Sequence, residues 1–394
     1  MRPFTFIALS LLVVACKPKD RIQALSSEKA KAESVYLTHD ENDNPVAVWT
    51  ERDGDRLNLY YAISGDQGNT FMNIIMLPLS SDVATHAEGM PKVAFRKDGT
   101  IIAAYEKKSP TETNKYAGSI YYRTSSDKGQ TWTSESFLHS DTIAGRSRSY
   151  FDIERLPDGE VGASWLDIKL NNETGGRSVR FAKTNGLRFA SEILVDSSAC
   201  QCCRIDVYSD LGGRINVAYR GLMKGKMGQP VRDMMIATSS NNGDSFTTPI
   251  KISQDNWVID GCPHTGPTLC SSKGGVYSMW YTEGNGTGLY YSFKQTGADN
   301  FGKRELISNA GRHPQVSADE TRFVMVWEEA LDGNTDKATS IVCQISNDNQ
   351  VTKQSITPGT SNAYAPVVTQ TKNGFLVAFL MDTESGVRMF TAKL

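Results

Sequence analysis

Residues 125–132 read SSDKGQTW, and two close relatives of this octapeptide stand at residues 64–71 (SGDQGNTF) and 239–246 (SSNNGDSF). In each copy an Asp or Asn side chain can cap its own turn, a glycine can take the left-handed conformation, and the last aromatic can pack back on the hairpin. Each copy follows a short run of β-branched and aromatic residues. The octapeptides therefore predict similar hairpin turns in a repeated β structure.

A longer repeat contains these turns. A turn, followed by a β-rich run that ends in an aromatic residue, occurs seven times, and the aromatics are Trp49, Tyr105, Trp165, Tyr219, Trp280, Trp327 and Phe379. The repeat predicts an all-β chain folded as a β-propeller of four-stranded blades, with seven blades favoured and six as the alternative. The seventh unit ends at Leu394 after three strands, so we expect a segment near residues 22–25 to supply the fourth.

The first residues predict export and an anchor. An apolar stretch at residues 4–15 is too short to span a bilayer and ends in small residues directly before Cys16. This arrangement resembles a bacterial lipoprotein signal with Cys16 as the lipidated residue, and a plain secretory signal is the alternative. The residue that follows, Lys17, favours the outer membrane of a Gram-negative cell envelope. The expected domains are a signal peptide at 1–15, a lipidated tether at 16–33 and the propeller at 34–394.

Composition limits the partners. The sequence has 42 Lys and Arg residues against 44 Asp and Glu residues, with a net charge of −2 and no basic block. A nucleic-acid partner is therefore excluded on electrostatic grounds. No second apolar run approaches membrane length, so contact with a membrane is expected through the lipid anchor only.

Propeller topology sorts the loops into two faces. If the strands of a blade are called A to D from the axis outward, the A–B and C–D turns share one face, here called the turn face. The B–C and D–A connections share the other, here called the mouth. The octapeptides fall in C–D turns, whereas unusual Arg, Glu, Cys and His residues fall in the mouth connections. We therefore expect the functional groups at the mouth.

The densest group in the mouth connections is made of cysteines and a histidine. It consists of Cys200, Cys202, Cys203, Cys262 and His264, at the starts of the neighbouring fourth and fifth blades. Thiolates with an imidazole suit zinc or copper(I). The alternatives are a disulfide between Cys262 and one of the other three, or a redox-active set of thiols. The remaining pair, Cys270 and Cys343, lies inside strands and is expected in the core.

Charged and phenolic residues of the mouth give a second set of candidates. Candidates to bind an acidic ligand are Glu88, Arg146, Arg220, Arg232 and Arg312, because arginine binds a carboxylate through paired hydrogen bonds. Candidate catalytic residues for the cleavage of a glycosidic bond are Asp167, Tyr219, Asp233 and Glu328. The alternative is an arginine–carboxylate lattice that makes the mouth rigid.

The octapeptides match the Asp box, S-x-D-x-G-x-T-W, and the chain resembles the sialidase (neuraminidase) superfamily over nearly all of its mature length. The resemblance implies a glycan ligand, three arginines on a sialate carboxylate, a tyrosine nucleophile and an aspartate acid–base. The family's Arg-Ile-Pro is replaced here by Gly89, Met90 and Pro91, so one arginine is missing. By this resemblance Arg220 and Arg312 remain as carboxylate binders, and Tyr219 or Tyr364 as nucleophile.

The chain is most similar to a group of secreted sialidase-like propellers that carry CxCC and GCPHxGP elements, here at residues 200–203 and 261–267. That group implies no established reaction. The sequence therefore predicts a lipid-anchored propeller that binds or hydrolyses acidic glycans, as an exo-α-sialidase-like glycoside hydrolase does. The alternatives are a non-hydrolytic envelope protein with a copper, zinc or thiol-redox site, and a protein-interaction platform.

Overall fold

The computed structural model describes residues 22–170, 173–331, 338–347, 350–359 and 361–394. The signal peptide and Cys16 lie outside these ranges, so the lipoprotein prediction stays a prediction. Within the ranges the chain forms strands and turns without a helix. Accordingly, no helix of the described part is long and apolar enough to cross a membrane.

The strands form a propeller of seven blades, which confirms the all-β prediction and the favoured blade count. The first strand of the chain is β1 (Ile22–Ala24). Blades 1 to 3 then contain β2 (Lys31–His39), β3 (Pro45–Asp53), β4 (Arg56–Ile63), β5 (Met72–Leu79), β6 (Lys92–Phe95), β7 (Ile101–Lys108), β8 (Gly118–Ser125), β9 (Ser136–Phe137), β10 (Ser149–Arg155), β11 (Val161–Leu166), β12 (Arg177–Asn185), β13 (Arg188–Phe189) and β14 (Ile193–Ala199).

The remaining strands make blades 4 to 7. They are β15 (Asp206–Ser209), β16 (Ile215–Arg220), β17 (Met223–Lys224), β18 (Pro230–Val231), β19 (Met234–Ser239), β20 (Ile250–Lys251), β21 (Thr268–Ser272), β22 (Gly275–Thr282), β23 (Gly288–Gln295), β24 (Glu305–Ser308), β25 (Gly311–Ala318), β26 (Arg322–Ala330), β27 (Thr339–Asn347), β28 (Gln350–Ser355), β29 (Ala363–Thr371), β30 (Gly374–Thr383) and β31 (Gly386–Lys393).

The neighbouring strands of each blade are antiparallel, and two blades carry additions. In blade 3, β13 and β14 both pair with β12. In blade 4, β17 and β18 form a separate hairpin within the B–C connection, on the mouth side.

The ring is closed by the N-terminal strand, as the sequence predicts. Strand β1 pairs with β31, with Gln23 opposite Thr391, and so supplies the fourth strand of blade 7. The propeller sheets therefore begin at Ile22, ahead of the boundary drawn at residue 34, and β2 also begins before it, at Lys31.

The hydrophobic core lies between the blades. Each pair of adjacent blades encloses its own cluster of buried apolar residues, and the cluster between blades 7 and 1 completes the circle. The B strands contact neighbouring blades on both faces, which explains why their sequences are apolar without alternation, as at residues 45–49. The repeated Trp165, Trp280 and Trp327 are fully buried in these clusters.

The three octapeptides form turns between C and D strands, on the turn face. In the second copy, the Ser125 hydroxyl accepts a hydrogen bond from the Gly129 amide at 2.8 Å, and the Asp127 carboxylate accepts one from the Thr131 amide at 2.9 Å. A Cβ atom on Gly129, whose φ is +83°, would lie 2.2 Å from the Tyr61 hydroxyl of the preceding blade. The glycine therefore permits both the left-handed turn and the close approach of two blades.

Candidate functional site

The two cysteine-bearing loops meet at the mouth. The metal-binding atoms of Cys200, Cys202 and Cys203 all lie within 4.8 Å of one another, and so do those of Cys202, Cys262 and His264. The first group, here called the inner trio, is buried, whereas Cys262 and His264 of the second group, the outer trio, are exposed. The structure thus brings together the five residues that the sequence grouped, with Cys202 common to both trios.

In the inner trio, the sulfur atom of Cys200 is about equally far from those of the other two cysteines. The Sγ atom of Cys200 lies 4.0 Å from that of Cys202 and 3.9 Å from that of Cys203. The four clustered cysteines, Cys200, Cys202, Cys203 and Cys262, are free thiols. Hydrogen bonds from Cys202 and then Cys203 lower the pKa of the Cys200 thiol, and burial raises that of Cys203. The inner trio therefore favours a thiolate at Cys200.

Two side chains predicted to bind a ligand instead hold these loops together. The Glu88 carboxylate oxygen Oε2 accepts hydrogen bonds from the amides of Arg204, at 3.2 Å, and Gly266, at 2.8 Å. Arg204 directly follows the CxCC element, and Gly266 lies within the GCPHxGP element, two residues after His264. Because Glu88 is only 5% exposed and also pairs with the Arg204 guanidinium, it is a positioning residue and is not available to a ligand.

Arg220 also holds the two cysteine-bearing loops together. Its backbone carbonyl accepts a hydrogen bond from the Cys200 amide at 2.8 Å. Its guanidinium Nη2 atom donates to the carbonyls of Thr265, at 2.9 Å, and Tyr281, at 2.8 Å, and the group stacks over Trp257. The side chain is 1% exposed and its polar atoms contact backbone carbonyls, so this arginine is not placed to bind a ligand carboxylate.

A histidine and a tyrosine stand beside the cysteines. The ring centroids of His86 and Tyr150 are 5.8 Å apart, and Tyr150 packs against the inner trio. Burial, with Lys108 and His264 nearby, lowers the pKa of His86, whereas burial and the neighbouring Cys202 raise the pKa of Tyr150. At neutral pH the arrangement therefore holds a neutral imidazole next to a neutral phenol.

The His86 imidazole covers the place where the sequence lacks the family arginine. His86 and Gly89 exchange two backbone hydrogen bonds of 2.9 Å, which fold the loop back on itself. A Cβ atom on Gly89 would lie 2.9 Å from Cε1 of the His86 ring. The next lysine, Lys92, is turned away into the propeller, where its ammonium group contacts Asp152 at 2.7 Å. An arginine at position 89 would therefore displace His86.

A groove of about 320 Å³ opens next to this pair, between blades 7, 1 and 2. Glu33, Thr85, His86, Met90 and Tyr364 are among its lining residues. The groove lies at the mouth because these residues belong to the start of A strands or to a D–A connection. It offers a binding volume that reaches both His86 and Tyr364.

The four predicted catalytic residues lie apart from this groove or are engaged in internal contacts. The Tyr219 hydroxyl donates to the Asp196 carboxylate and is buried, so Tyr219 is not an accessible nucleophile. Asp233 is fully buried against Lys251, at 2.7 Å. These contacts give both side chains a structural role.

The other two carboxylates also have internal partners. Asp167 accepts a hydrogen bond from the Trp165 indole at 2.8 Å and lies 3.3 Å from the buried Arg148 guanidinium. Glu328 accepts a hydrogen bond from the Ala365 amide at 2.6 Å and contacts the His313 imidazole at 2.9 Å. These residues therefore do not form the solvent-accessible pair of carboxylates that most glycoside hydrolases use.

The remaining arginines differ in exposure. Arg146 pairs with Asp141, and Arg232 donates to the Ile259 carbonyl, so both have internal partners. Arg312 is exposed at the mouth, with its guanidinium 5.9 Å from the centroid of the Tyr281 ring. Of the predicted ligand-binding set, Arg312 is thus the residue best placed to meet an anion.

Two important arginines were not identified from the sequence. The buried Arg204 donates to the Pro314 carbonyl at 2.6 Å as well as to Glu88. The buried Arg177 donates to the Ser147 carbonyl and the Ser149 hydroxyl, both at 2.6 Å, and thereby fixes the start of β10, which carries Tyr150. The sequence does mark Arg204, because this residue directly follows the CxCC element. No sequence pattern marks Arg177.

The fold of this chain is similar to that of several solved structures. No protein-family model matches the chain, and no curated protein does. Among solved structures, the polysaccharide lyase Uly1 aligns with a TM-score of 0.58 at 10% identity, over 97% of this chain and 94% of the lyase chain. The Trypanosoma rangeli sialidase in complex with sialic acid aligns with a TM-score of 0.50 at 11% identity, over 95% of this chain and 59% of the sialidase chain. The chain therefore shares the β-propeller fold of sialidases and of a polysaccharide lyase.

Proposed function

We propose that the protein binds an acidic polysaccharide at its mouth and cleaves it by elimination, with His86 and Tyr150 as the acid–base pair. The observation that carries this proposal is the contact between two rings whose pKa values are shifted in opposite directions. A neutral imidazole can accept a proton, and a neutral phenol can donate one. Two adjacent titratable groups separated in this way are typical of acid–base catalysis.

The reaction follows from the chemistry of a uronic acid. His86 removes the proton from the carbon next to the sugar carboxyl group, and the electron pair left behind forms a carbon–carbon double bond. The bond to the glycosidic oxygen breaks at the same time, and Tyr150 gives its proton to that oxygen. Atoms and electrons balance without an oxidant or a metal ion. Arg312, exposed at the mouth, supplies the positive charge that attracts the polyanion.

Elimination agrees with the site better than hydrolysis does. Hydrolysis by a pair of carboxylates needs both of them to face the scissile bond, whereas Asp167, Asp233 and Glu328 are held by internal partners, and hydrolysis with Tyr219 as nucleophile needs an accessible phenol, whereas Tyr219 is buried. The groove beside His86 and Tyr364 supplies room for a sugar. The similarity in fold to a polysaccharide lyase and to a sialidase supports a glycan as the ligand class.

The lipoprotein signal with Cys16 belongs to the same proposal, since an outer-membrane anchor would hold the mouth among envelope and environmental polysaccharides.

The test is incubation of the purified chain with uronate-containing polysaccharides and with a sialyl glycoside. We expect ultraviolet absorbance from an unsaturated uronate product, and no released sialic acid. His86→Asn and Tyr150→Phe should each lower kcat at least about 100-fold, which is the usual contribution of a general acid or base. His39→Gln is the matched control, since His39 lies on the turn face, bonded to the Gln370 carbonyl.

Three results would overturn the proposal. The first is cleavage without a double bond, the second is full activity of His86→Asn, and the third is release of sialic acid by the wild-type chain. The pH profile adds an independent check. Because the pKa of His86 lies below its ordinary 6.5, kcat/KM should reach its plateau already at slightly acidic pH, and His86→Asn should abolish that acidic limb.

A further inference from the structure

The inner and outer trios transfer no proton in the proposed reaction, although Tyr150 packs against the inner trio. They place four sulfur atoms and one imidazole in a single cluster, at the junction of blades 4 and 5. Thiolates are preferred by soft metal ions, and imidazole is compatible with them. The donor atoms and geometry of the cluster therefore indicate a role in binding a soft metal ion.

The spacing of the inner trio fits one ion in a plane of three sulfurs. An ion about 2.3 Å from each of three sulfur atoms, at the centre of their triangle, separates those atoms by about 4.0 Å. The separations from Cys200 to Cys202 and to Cys203 are 4.0 Å and 3.9 Å. These two separations match those of an ion with three sulfur ligands, and the third pair, Cys202 and Cys203, lies within 4.8 Å. Copper(I) accepts soft thiolate ligands of this kind, whereas a structural zinc ion almost always takes four ligands.

The same spacing does not favour a disulfide within the trio. A disulfide requires sulfur atoms about 2.05 Å apart and a Cβ–Cβ distance near 3.8 Å. Cys200 is equally far from two partners, and a Cys202–Cys203 bond would close the ring between adjacent residues. The geometry of the inner trio therefore does not favour a disulfide between any particular pair of its cysteines.

The outer trio offers a second set of three donors. Cys202, Cys262 and the His264 imidazole converge within 4.8 Å, with the last two at the surface. His264 has a φ of +48°, a conformation that non-glycine residues rarely adopt, and the fold maintains it where the imidazole joins the cysteines. Because Cys202 belongs to both trios, its sulfur can bridge two ions.

Two independent clamps hold the cluster in this arrangement. Glu88 accepts hydrogen bonds from the amides of Arg204 and Gly266. Arg220 accepts a hydrogen bond from the Cys200 amide and donates one to the Thr265 carbonyl. Buried side chains that fix metal ligands in place are characteristic of metal sites. The loops therefore keep their separation without a covalent link.

We propose that the cluster binds two copper(I) ions, one held by Cys200, Cys202 and Cys203 and the other by Cys202, Cys262 and His264, with the Cys202 thiolate as the bridge. The proposal rests on this geometry alone and does not depend on the glycan reaction. It assigns different roles to the five residues, because only Cys202 contributes to both ions.

The test is an anaerobic titration of the reduced protein with copper(I) in competition with a chromophoric chelator. We expect about two ions per chain, with thiolate-to-copper charge-transfer absorption. Cys203→Ala should lose the inner ion and keep the outer one. Cys262→Ala and His264→Ala should lose the outer ion and keep the inner one. Cys202→Ala should lose both, and Cys202→Ser replaces it if the alanine variant fails to fold.

Cys270→Ala is the matched control, since this buried thiol lies in β21 outside both trios and should leave two ions bound. Circular dichroism and Tm establish that each variant is folded. The proposal is overturned if Cys202→Ala or Cys202→Ser retains both ions, or if zinc binds stoichiometrically while copper(I) does not. It is also overturned if mass spectrometry of protein isolated without a reductant shows the four clustered cysteines fully paired in disulfides.

Discussion

The Arg204 guanidinium nitrogen Nη1 lies 3.2 Å from the Glu88 carboxylate oxygen Oε1, although the two residues are 116 positions apart in the sequence. Glu88 belongs to the connection between blades 1 and 2, and Arg204 lies two residues before β15, the first strand of blade 4. Both side chains are less than 10% exposed. The pair therefore links non-adjacent blades beneath the mouth, in a place where water cannot replace either partner.

Glu88→Ala should strongly destabilise the protein. The substitution leaves the Arg204 charge buried and removes the acceptor of two backbone amides. We expect a loss of about 3 kcal/mol in the free energy of unfolding, measured by urea denaturation. The matched control is Glu320→Ala, because Glu320 pairs with Lys273 where both side chains are about 70% exposed. Its effect should stay below about 0.5 kcal/mol, and equal effects of the two variants would contradict our assignment.

Tyr219→Phe separates a structural role from a catalytic one. The variant loses the hydrogen bond from the buried phenol to Asp196 and leaves that carboxylate without its donor. We expect the free energy of unfolding to fall by about 1–2 kcal/mol, with kcat on any cleaved glycan unchanged. Tyr116→Phe is the control, since Tyr116 is 74% exposed and its substitution should leave the stability unchanged. A nucleophilic Tyr219 would give the opposite result, a loss of activity in a protein of normal stability.

The fold could be predicted because its signals are local and repeated. An aromatic residue at one phase of each blade, and the octapeptide in three C–D turns, determine the strand order before any long-range contact is known. The short seventh unit even indicated β1, which pairs with β31. The connection between residues 24 and 31 was assigned to a tether, because its polar composition hides its position between two blades.

The roles of the mouth residues could not be predicted in the same way. A polar residue at the end of a strand has the same sequence signature whether it faces a ligand or satisfies a neighbour. Yet one pattern was present: in Trp49/Glu51 and Trp165/Asp167 the acid lies two residues after the aromatic and accepts its indole hydrogen bond, at 2.7 and 2.8 Å. Trp327 and Glu329 repeat it. This spacing marks Asp167 as part of the repeat, and so as structural.

Removal of residues 22–30, in a chain that begins at Lys31, should open the ring. Without β1 the last strand, β31, becomes an unpaired edge. The variant also loses the hydrogen bonds from the Leu25 amide to the Met389 carbonyl and from the Met389 amide to the Ser26 hydroxyl. We expect a lower Tm and concentration-dependent aggregation, measured by calorimetry and light scattering. A chain that begins at Ile22 is the control, and equal Tm values for the two chains would show that β1 does not stabilise the ring.

Asp206→Asn should change how stability depends on pH. Burial, with Asp152 nearby, raises the pKa of the Asp206 carboxyl from 3.8 to about 8. A folded-state pKa above the unfolded one means that the folded chain binds more protons between these two values, so stability falls as pH rises from about 4 to 8. Asparagine cannot ionise, and its side-chain oxygen can still accept the hydrogen bond from the Leu269 amide. We therefore expect Asp206→Asn to have a flatter stability profile and to exceed the wild type at pH 8.5 by roughly 2–4 kcal/mol.

Asp319→Asn, at a carboxyl whose pKa is lowered, is the contrasting control and should not gain stability at high pH. Parallel profiles of Asp206→Asn and the wild type, measured by urea denaturation across this range, would show that Asp206 is already ionised in the folded protein.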